Sequence, residues 1–227
     1  MGAGDIIATT VVLAAAGGAV WYFLLRPKEA AAEGAEISGF TLEKNGGGAN
    51  MANIVEEAAS IIEAAFAEKR ALAISANPGD PLNGSISYKN NKLTPGASVL
   101  VGYIMGSYDP ASGTFNAVGF TQDGVQYVWG SAMNDSAPAQ GQSASRSVAT
   151  YALNPSQTTT FDVLVFIGTG QLGAISADYG SGARTIGLKW SDFQALTVLA
   201  SKPYQAQVTV TPAVAAVEIT AFTLAKI

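Results

Sequence analysis

Apolar and polar positions divide the chain into one long uncharged stretch, one helical segment and a series of short strand-like segments. The uncharged stretch runs from Ile6 to Leu25. As a helix it would span roughly 30 Å at about 1.5 Å per residue, which matches the hydrocarbon core of a bilayer. The pattern therefore predicts a single-pass transmembrane helix within residues 1–26 and a polar tether at residues 27–35. The residues predicted to form this membrane anchor are Ile6, Ile7, Val11, Val12, Leu13, Val20, Trp21, Tyr22, Phe23, Leu24, Leu25 and Arg26.

The flanks of the stretch favour a retained anchor over a cleaved signal peptide. A signal peptide carries its positive charges before the apolar run, whereas here Arg26 and Lys28 follow it. By the positive-inside rule, their position places the C-terminal domain on the cytoplasmic side. Ala14 and Gly18 have the spacing of small residues that lets two helices pack closely, although a lone helix in lipid tolerates the same pair. The sequence leaves both interpretations of this pair open.

A second helix is predicted at about residues 53–73. Asn53 can cap its first turn, acidic residues occupy that turn, and Lys69 and Arg70 lie in its last turn. Its apolar positions recur at helical spacing. Such a helix can pack on a sheet or lie on a lipid surface. Anionic lipid headgroups would repel its acidic polar face, so packing on a sheet is favoured.

From Gly84 onward the pattern changes to short apolar segments separated by turn residues. This spacing predicts a mainly β protein in which residues 36–227 form a single antiparallel β-sandwich of jelly-roll or immunoglobulin-like type, carrying the one amphipathic helix. A first strand is predicted at Glu36–Glu43 and a long exposed loop at Gly130–Ser145. The further predicted strands are Ser85–Lys89, Ser98–Met105, Thr114–Thr121, Val125–Trp129, Ser147–Leu153, Thr159–Ile167, Arg184–Trp190, Gln194–Ala200, Gln205–Thr211 and Val217–Leu224.

Two segments near the ends of this domain have almost the same sequence. Glu36–Lys44 reads EISGFTLEK and Glu218–Lys226 reads EITAFTLAK. Both strands can simply occupy similar environments in neighbouring sheet positions, or a terminal strand can pair between subunits. The residues predicted to take part in such strand pairing are Ile37, Phe40, Leu42, Ile219, Phe222 and Leu224.

Composition narrows the range of functions. The chain has no Cys and no His, which removes thiolate nucleophiles, imidazole bases and the commonest ligands of zinc and copper. A net charge of −5 with 12 Lys and Arg provides no basic surface for a phosphate backbone. We therefore expect no enzymatic activity, cofactor, metal, nucleic acid or small-molecule substrate.

Two local motifs deserve a chemical interpretation. Gly168–Gly173 has the spacing of a dinucleotide-binding glycine turn after an apolar run, and Asp192 lies near the distance expected for a ribose-binding acid. No helix pattern follows these glycines, so a simple strand connection is favoured. Asn77, Asp80 and Asn83 could offer oxygen atoms to calcium, but an Asx-stabilised turn is the simpler interpretation.

Aromatic residues and glycosylation triplets offer weaker signals. Asn83 and Asn134 each begin an Asn-x-Ser triplet, which would matter only in an extracellular domain. Several aromatic side chains could form a platform for sugars, but alternation along the strands places some of them inward, so core packing is favoured. These aromatic residues are Tyr103, Tyr108, Tyr127, Trp129 and Tyr151.

Together these patterns predict a membrane-anchored structural protein whose partners are the lipid bilayer, copies of itself and neighbouring structural proteins. The predicted architecture is similar to that of small membrane-tethered jelly-roll proteins in viruses with an internal membrane, which implies a minor capsid or vertex-type role in the virion. The apolar stretch Ile6–Leu25 also resembles the hydrophobic helix of archaeal pilins and archaellins, which implies a surface filament subunit. A surface glycan-binding protein is the third alternative, and it depends on the aromatic residues and the fold.

Overall fold

The computed structural model describes residues 10–15, 18–25, 34–44, 73–153, 155, 157–178 and 184–212. Within these ranges the chain forms thirteen strands and one short helix. The first strands are β1 (Thr10–Ala15), β2 (Gly18–Leu25), β3 (Ala35–Lys44), β4 (Ile74–Ala76), β5 (Pro81–Asn90), β6 (Ser98–Asp109) and β7 (Thr114–Gln122). They are followed by β8 (Val125–Ser136), β9 (Ser143–Tyr151), β10 (Thr159–Thr169), β11 (Ala174–Asp178), β12 (Arg184–Lys189), α1 (Trp190–Gln194) and β13 (Thr197–Val210).

The strands form two sheets, which confirms that the protein is mainly β. The large sheet has ten strands, and its main path runs β1-β2-β7-β8-β6-β10-β13-β4, with β12 joined to β8 and β11 to β12. The small sheet has the order β3-β5-β9. Neighbouring strands are antiparallel except for β13 and β4. The sheets form a half-barrel that is consistent with the predicted β-sandwich.

The main hydrophobic core lies between the two sheets. Strand β5 alternates in burial, because its even-numbered residues, among them Leu82, Ile86 and Tyr88, are buried while its odd-numbered residues are partly or fully exposed. This alternation is what a sheet with one covered face requires. The large sheet contributes Val101, Tyr103, Met105, Trp129, Phe161, Val163, Val165, Ile167, Val208 and Val210 to the same core.

A second core covers the opposite face of the large sheet. Residues from both faces of β6 and β10 are buried, which explains their nearly continuous apolar sequences. On this side Phe193 of α1 stacks on Trp190 and packs edge-on against Phe166, with ring centroids 5.9 and 5.1 Å away. The short helix therefore acts as a cap over the centre of the large sheet.

Several strands differ in extent from their predictions. Strand β8 continues to Ser136 and β9 begins at Ser143, so most of the predicted loop Gly130–Ser145 is strand. The polar residues at the end of β8 are held extended by pairing with β6, from Gly130 opposite Ile104 to Ser136 opposite Ser98. The two strands predicted at Gln194–Ala200 and Gln205–Thr211 form the single strand β13. Tertiary pairing has overridden local composition in these places.

Two strands are described within the apolar N-terminal stretch. β1 and β2 form an antiparallel hairpin, and β2 continues the large sheet by pairing with β7. The transmembrane helix predicted from residues 1–26 stays a prediction. The residues present are compatible with strands, because Val and aromatic residues make up six of the fourteen positions of β1 and β2 and two glycines lie between Ala16 and Ala19. Among the described residues, no helix has the length and apolar character needed to cross a bilayer. The membrane location itself stays a prediction.

Other predicted segments lie outside the described residues. Of the helix predicted at residues 53–73, the structure describes only Ala73. The strand predicted at Val217–Leu224, and with it Ile219, Phe222 and Leu224, also lies outside. The same holds for Ile6, Ile7 and Arg26 of the predicted anchor and for most of the tether at residues 27–35.

Candidate functional site

The large sheet ends in a strand that carries no charged residue. Strand β1 stands at one end of the strand order, and among the described strands it pairs with β2 alone. Its sequence is TVVLAA, and that of β2 is GAVWYFLL. A sheet edge presents unpaired N–H and C=O groups, which proteins usually protect with charges, prolines or bulges. Neither strand has a charge or a proline, so the β1 edge lacks these common protections against pairing with another chain.

The predicted anchor residues that the structure describes fall in this hairpin. Val11, Val12 and Leu13 belong to β1 together with Ala14, and residues 20–25 belong to β2 together with Gly18. Ala14 lies opposite Ala19 in the pairing of β1 with β2. The helix packing predicted for Ala14 and Gly18 stays a prediction. Leu25 is buried with Phe115 in the second core. The hairpin is therefore fastened to the sandwich at the C-terminal end of β2.

A second site is the position that β3 occupies at one edge of the small sheet. Ile37 and Leu42 are 5% and 8% exposed and pack into the main core. Phe40 lies between two tyrosines, with its ring centroid 5.6 Å from that of Tyr103 and 5.2 Å from that of Tyr204. These apolar side chains hold β3 against the large sheet while its backbone pairs with β5. Ile37, Phe40 and Leu42 thus hold β3 in the sandwich. Their predicted strand pairing with Ile219, Phe222 and Leu224 stays a prediction.

The far end of β3 is held by a charge. Lys44 Nζ lies 2.6 Å from Asp80 Oδ2, and the backbone N–H of Asn77 donates to the same carboxylate oxygen at 2.6 Å. Burial raises the pKa of Asp80, but the bonds from Lys44 and Asn77 outweigh it and leave that pKa below its ordinary value. The carboxylate of Asp80 thus stabilises the turn that begins at Asn77 and forms an ion pair with Lys44. Asn83, the third predicted calcium ligand, accepts a hydrogen bond from Ser147 Oγ at 2.7 Å.

A polar cluster joins the two sheets near the other edge of the small sheet. Tyr88 of β5 donates from its hydroxyl to Asp135 Oδ2 at 2.6 Å, and Arg146 Nε of β9 lies 2.8 Å from Asp135 Oδ1. Burial raises the pKa of Asp135, yet the bonds from Tyr88 and Arg146 hold it below its ordinary value. Burial also raises the pKa of Tyr88, and the neighbouring carboxylate raises it further. The cluster fastens β9 and β5 to β8.

Another acidic residue bridges three strands of the large sheet. Asp162 lies within the apolar strand β10 and accepts hydrogen bonds from the backbone N–H groups of Tyr108 on β6 and Ala206 on β13, both at 2.6 Å. The register between β10 and β13 is irregular at this point, and Ala206 has a φ of 48°. The regular hydrogen-bond pattern between the strands is interrupted here, and the carboxylate of Asp162 accepts the hydrogen bonds of the two backbone N–H groups.

The glycine motif at residues 168–173 is a strand connection. Strand β11 follows it directly, so no helix N-terminus is available for a pyrophosphate. Asp192 Oδ2 accepts a hydrogen bond from Gly173 N at 3.1 Å, and its Oδ1 lies 3.5 Å from Lys189 Nζ. The bond from Gly173, followed by the charge of Lys189, lowers the pKa of Asp192. The glycines therefore connect β10 to β11, as the strand-connection interpretation predicts, and Asp192 holds this connection in place.

The aromatic residues are divided between core and surface. Tyr103 and Trp129 are fully buried, and Trp129 Nε1 donates to the carbonyl of Tyr151 at 2.9 Å. Tyr127 is half-buried and stacks on Phe120 at 5.5 Å between ring centroids. Tyr103 and Trp129 thus confirm the core-packing interpretation, and these five residues do not share one exposed platform.

The inter-sheet cluster and Asp162 were not anticipated from the sequence. An acid inside the apolar run FDVLVFI is a usable signal, because a charge inside a buried strand needs a partner. No comparable signal links Tyr88, Asp135 and Arg146, which lie far apart in the chain and meet only through the sheet packing. Among the described residues no group of acidic side chains is arranged to hold a metal ion.

The chain was compared with models of protein families, with curated proteins and with solved structures, and none of the three comparisons found a match.

Proposed function

We propose that this protein is a non-enzymatic structural protein that assembles with copies of itself and with neighbouring proteins at a lipid bilayer. The observation that carries the proposal is the β1–β2 hairpin, an uncharged apolar extension of the large sheet whose outer edge has no partner among the described strands. Sheet edges of this kind pair readily with other chains. An uncharged apolar sequence of this kind also favours contact with lipid or with another protein.

The acidic side chains support a structural role. Asp80, Asp135, Asp162 and Asp192 each accept hydrogen bonds from groups of the same chain, and each joins two or more elements. A catalytic carboxylate needs an open face toward a substrate and a proton donor or acceptor within reach of it. These four carboxylates instead accept hydrogen bonds from groups that belong to the fold itself.

The setting that best fits these features is the virion of a virus with an internal membrane, where the protein serves as a minor capsid or vertex-type component. In this proposal the sandwich is of the jelly-roll kind, the apolar N-terminal region of residues 1–26 faces the membrane, and the sandwich contacts the capsid. A filament subunit of the pilin or archaellin type is the second candidate. It is favoured if the apolar hairpin contacts only other subunits and no lipid.

The test compares two lysine substitutions at two sheet edges, V12K in β1 and A149K in β9. Sedimentation velocity of the lipid-free protein should show large assemblies for the natural chain and for A149K, and distinctly smaller assemblies for V12K. Flotation with vesicles of phosphatidylcholine and phosphatidylglycerol should recover the natural chain with the lipid and much less V12K.

The outcomes separate the candidate functions. Assembly without flotation would favour the filament subunit. Assembly of V12K equal to that of A149K would contradict the role of the β1 edge. Glycan attached to Asn134 in the native protein would contradict a domain on the cytoplasmic side of the membrane.

A further inference from the structure

The chain contains a second copy of the sequence that forms β3. Glu218–Lys226 matches Glu36–Lys44 without gaps and has the same residue type at six positions. The matched pairs are Glu36 and Glu218, Ile37 and Ile219, Phe40 and Phe222, Thr41 and Thr223, Leu42 and Leu224, and Lys44 and Lys226. The structure describes the first copy and therefore shows what each matched residue does in its strand.

The matched residues include those by which β3 binds the sandwich. Ile37 and Leu42 are buried in the main core, Phe40 contacts the rings of Tyr103 and Tyr204, and Lys44 pairs with Asp80. Glu36 lies opposite Lys89 and Thr41 opposite Ser85 in the pairing of β3 with β5. The second copy thus repeats, in the same order, the residue types that make these apolar and charged contacts in the first copy.

The three positions that differ are those where β3 tolerates a change. Ser38 and Glu43 are exposed, so Thr220 and Ala225 would meet no core residue there. Gly39 corresponds to Ala221, and a Cβ added at Gly39 would lie 3.7 Å from the Cβ of Ser87, an ordinary van der Waals distance. A strand with the sequence of residues 218–226 therefore fits the place of β3 without a clash at these positions.

The direction of β3 shows which copy of the chain can supply that strand. Gly34 lies against Leu199 and Phe40 against Tyr204, so β3 runs in the same direction as β13. The start of β3 is therefore beside the start of β13, whereas the chain leaves β13 at Val210. Along a strand, Leu199 and Val210 are roughly 36 Å apart at about 3.3 Å per residue, which leaves about 30 Å between Val210 and the place of Glu36.

That distance exceeds the reach of the chain once a turn is included. From Val210 to Glu218 a fully extended chain covers at most about 29 Å at about 3.6 Å per residue. The chain would also have to reverse its direction and cross from one sheet to the other, which are about 10 Å apart. Residues 218–226 can therefore not replace β3 of their own copy in the same direction, but those of a second copy can.

We infer that Glu218–Lys226 of one copy replaces Glu36–Lys44 in the sandwich of another copy, so that copies of this chain assemble by strand exchange. This inference rests on the proposed function and identifies the partner as a second copy of the same chain. Exchange of one strand for another with the same contacts leaves the interior of the sandwich unchanged, so the protein concentration decides how much exchange occurs.

The experiment uses engineered cysteines, because the natural chain has none. Full-length S85C and full-length T223C, carrying tags of different mass, are mixed at high concentration, incubated and oxidised. In exchanged copies Thr223 takes the place of Thr41, opposite Ser85, where side chains are about 5 Å apart and a disulfide can form. We expect a disulfide-linked heterodimer at a yield at least about tenfold above that of S85C mixed with A225C, which is two residues out of register.

Two further measurements make the result decisive. The double variant T41C/S85C should form a disulfide within one chain, which verifies the geometry of this pair. If that control disulfide forms and the S85C and T223C mixture gives no more heterodimer than the A225C mixture, strand exchange is overturned. Light scattering of the natural chain separates this failure from that of the proposed function, because assemblies that persist without the disulfide leave the structural role intact.

Discussion

The edges formed by β1 and β9 are protected to different degrees. Strand β9 exposes a row of serines at residues 143, 145 and 147, and its Arg146 is tied to Asp135 across the sandwich. Strand β1 has neither a charge nor an ionic tie and consists of Thr, Val, Leu and Ala. Charge and polarity are the usual means of preventing unwanted strand pairing. In our proposal the β9 edge is closed to partners and the β1 edge is available to them.

The largest expected effect comes from a substitution in the core beneath the small sheet, to which the protected strand β9 belongs. Ile86 is fully buried at the centre of β5, so I86A leaves a cavity between the sheets. We expect the free energy of unfolding to fall by about 3 kcal/mol in chemical denaturation. The neighbouring S87A, on the outer face of the same strand, should change it by less than about 0.5 kcal/mol. Equal effects of the two variants would contradict the assigned orientation of β5.

The next largest effect comes from the inter-sheet cluster. D135N removes the charge that pairs with Arg146 and weakens the bond from Tyr88. We expect a loss of about 2 kcal/mol in the free energy of unfolding, since hydrogen bonds to charged groups contribute about 1.5–3 kcal/mol. Hydrogen exchange should report faster opening of β9 in this variant. A loss as small as that of an exposed substitution would mean that the cluster does not hold the edge.

The same cluster predicts how stability depends on pH. The pKa of Asp135 in the folded protein is below its ordinary value of 3.8, so its contribution is present above that pH and is lost as the pH falls through the folded pKa. The pKa of Tyr88 is raised above its ordinary value of 10.0, so its contribution is lost as the pH rises above 10. Stability measured by denaturation should thus be greatest between these limits.

Substitutions separate the cluster from other titrating groups. Asp80 also has a lowered pKa and Tyr103 a raised one, so each limb of the profile has several contributors. D135N should flatten part of the acid limb and Y88F part of the alkaline limb. An acid limb that is identical in D135N and the natural chain would contradict the role given to Asp135.

The smallest change in the free energy of unfolding is expected for substitutions in the two edge strands β1 and β9. V12K and A149K each place a charge on an edge strand, and surface substitutions usually change stability by no more than about 0.5 kcal/mol. We expect both to lie within about 1 kcal/mol of the natural chain in denaturation of the dispersed protein. A much larger loss for V12K would show that β1 is part of the folding core rather than an available edge.

The sequence predicts the strands best where apolar runs end in turn residues. The β7–β8 turn is an example, because Asp123 and Gly124 both have positive φ, as the Asp-Gly signal requires. The polar end of β8 and the short strands β4 and β11 were not predicted, since pairing with neighbours rather than composition holds them extended. An uncharged apolar run such as Ile6–Leu25 fits both a helix and two strands, and periodicity does not distinguish them.

The candidate site could be predicted only in part. The echo between Glu36–Lys44 and Glu218–Lys226 is visible in the sequence, and Ile37, Phe40 and Leu42 do bind β3 to the sandwich. The available edge of β1 depends on the order of strands in the large sheet, which no local pattern specifies. The same is true of the cluster around Asp135, whose members meet across two sheets.

Amide hydrogen exchange in the assembled and the dispersed protein tests the central claim most directly. If copies pair through the β1 edge, the amides of Thr10–Ala15 that do not bond to β2 become hydrogen-bonded on assembly, and their exchange should slow by at least about tenfold. The amides of β9 should exchange at the same rate in both states. Slowed exchange in β9 with unchanged exchange in β1 would contradict the account.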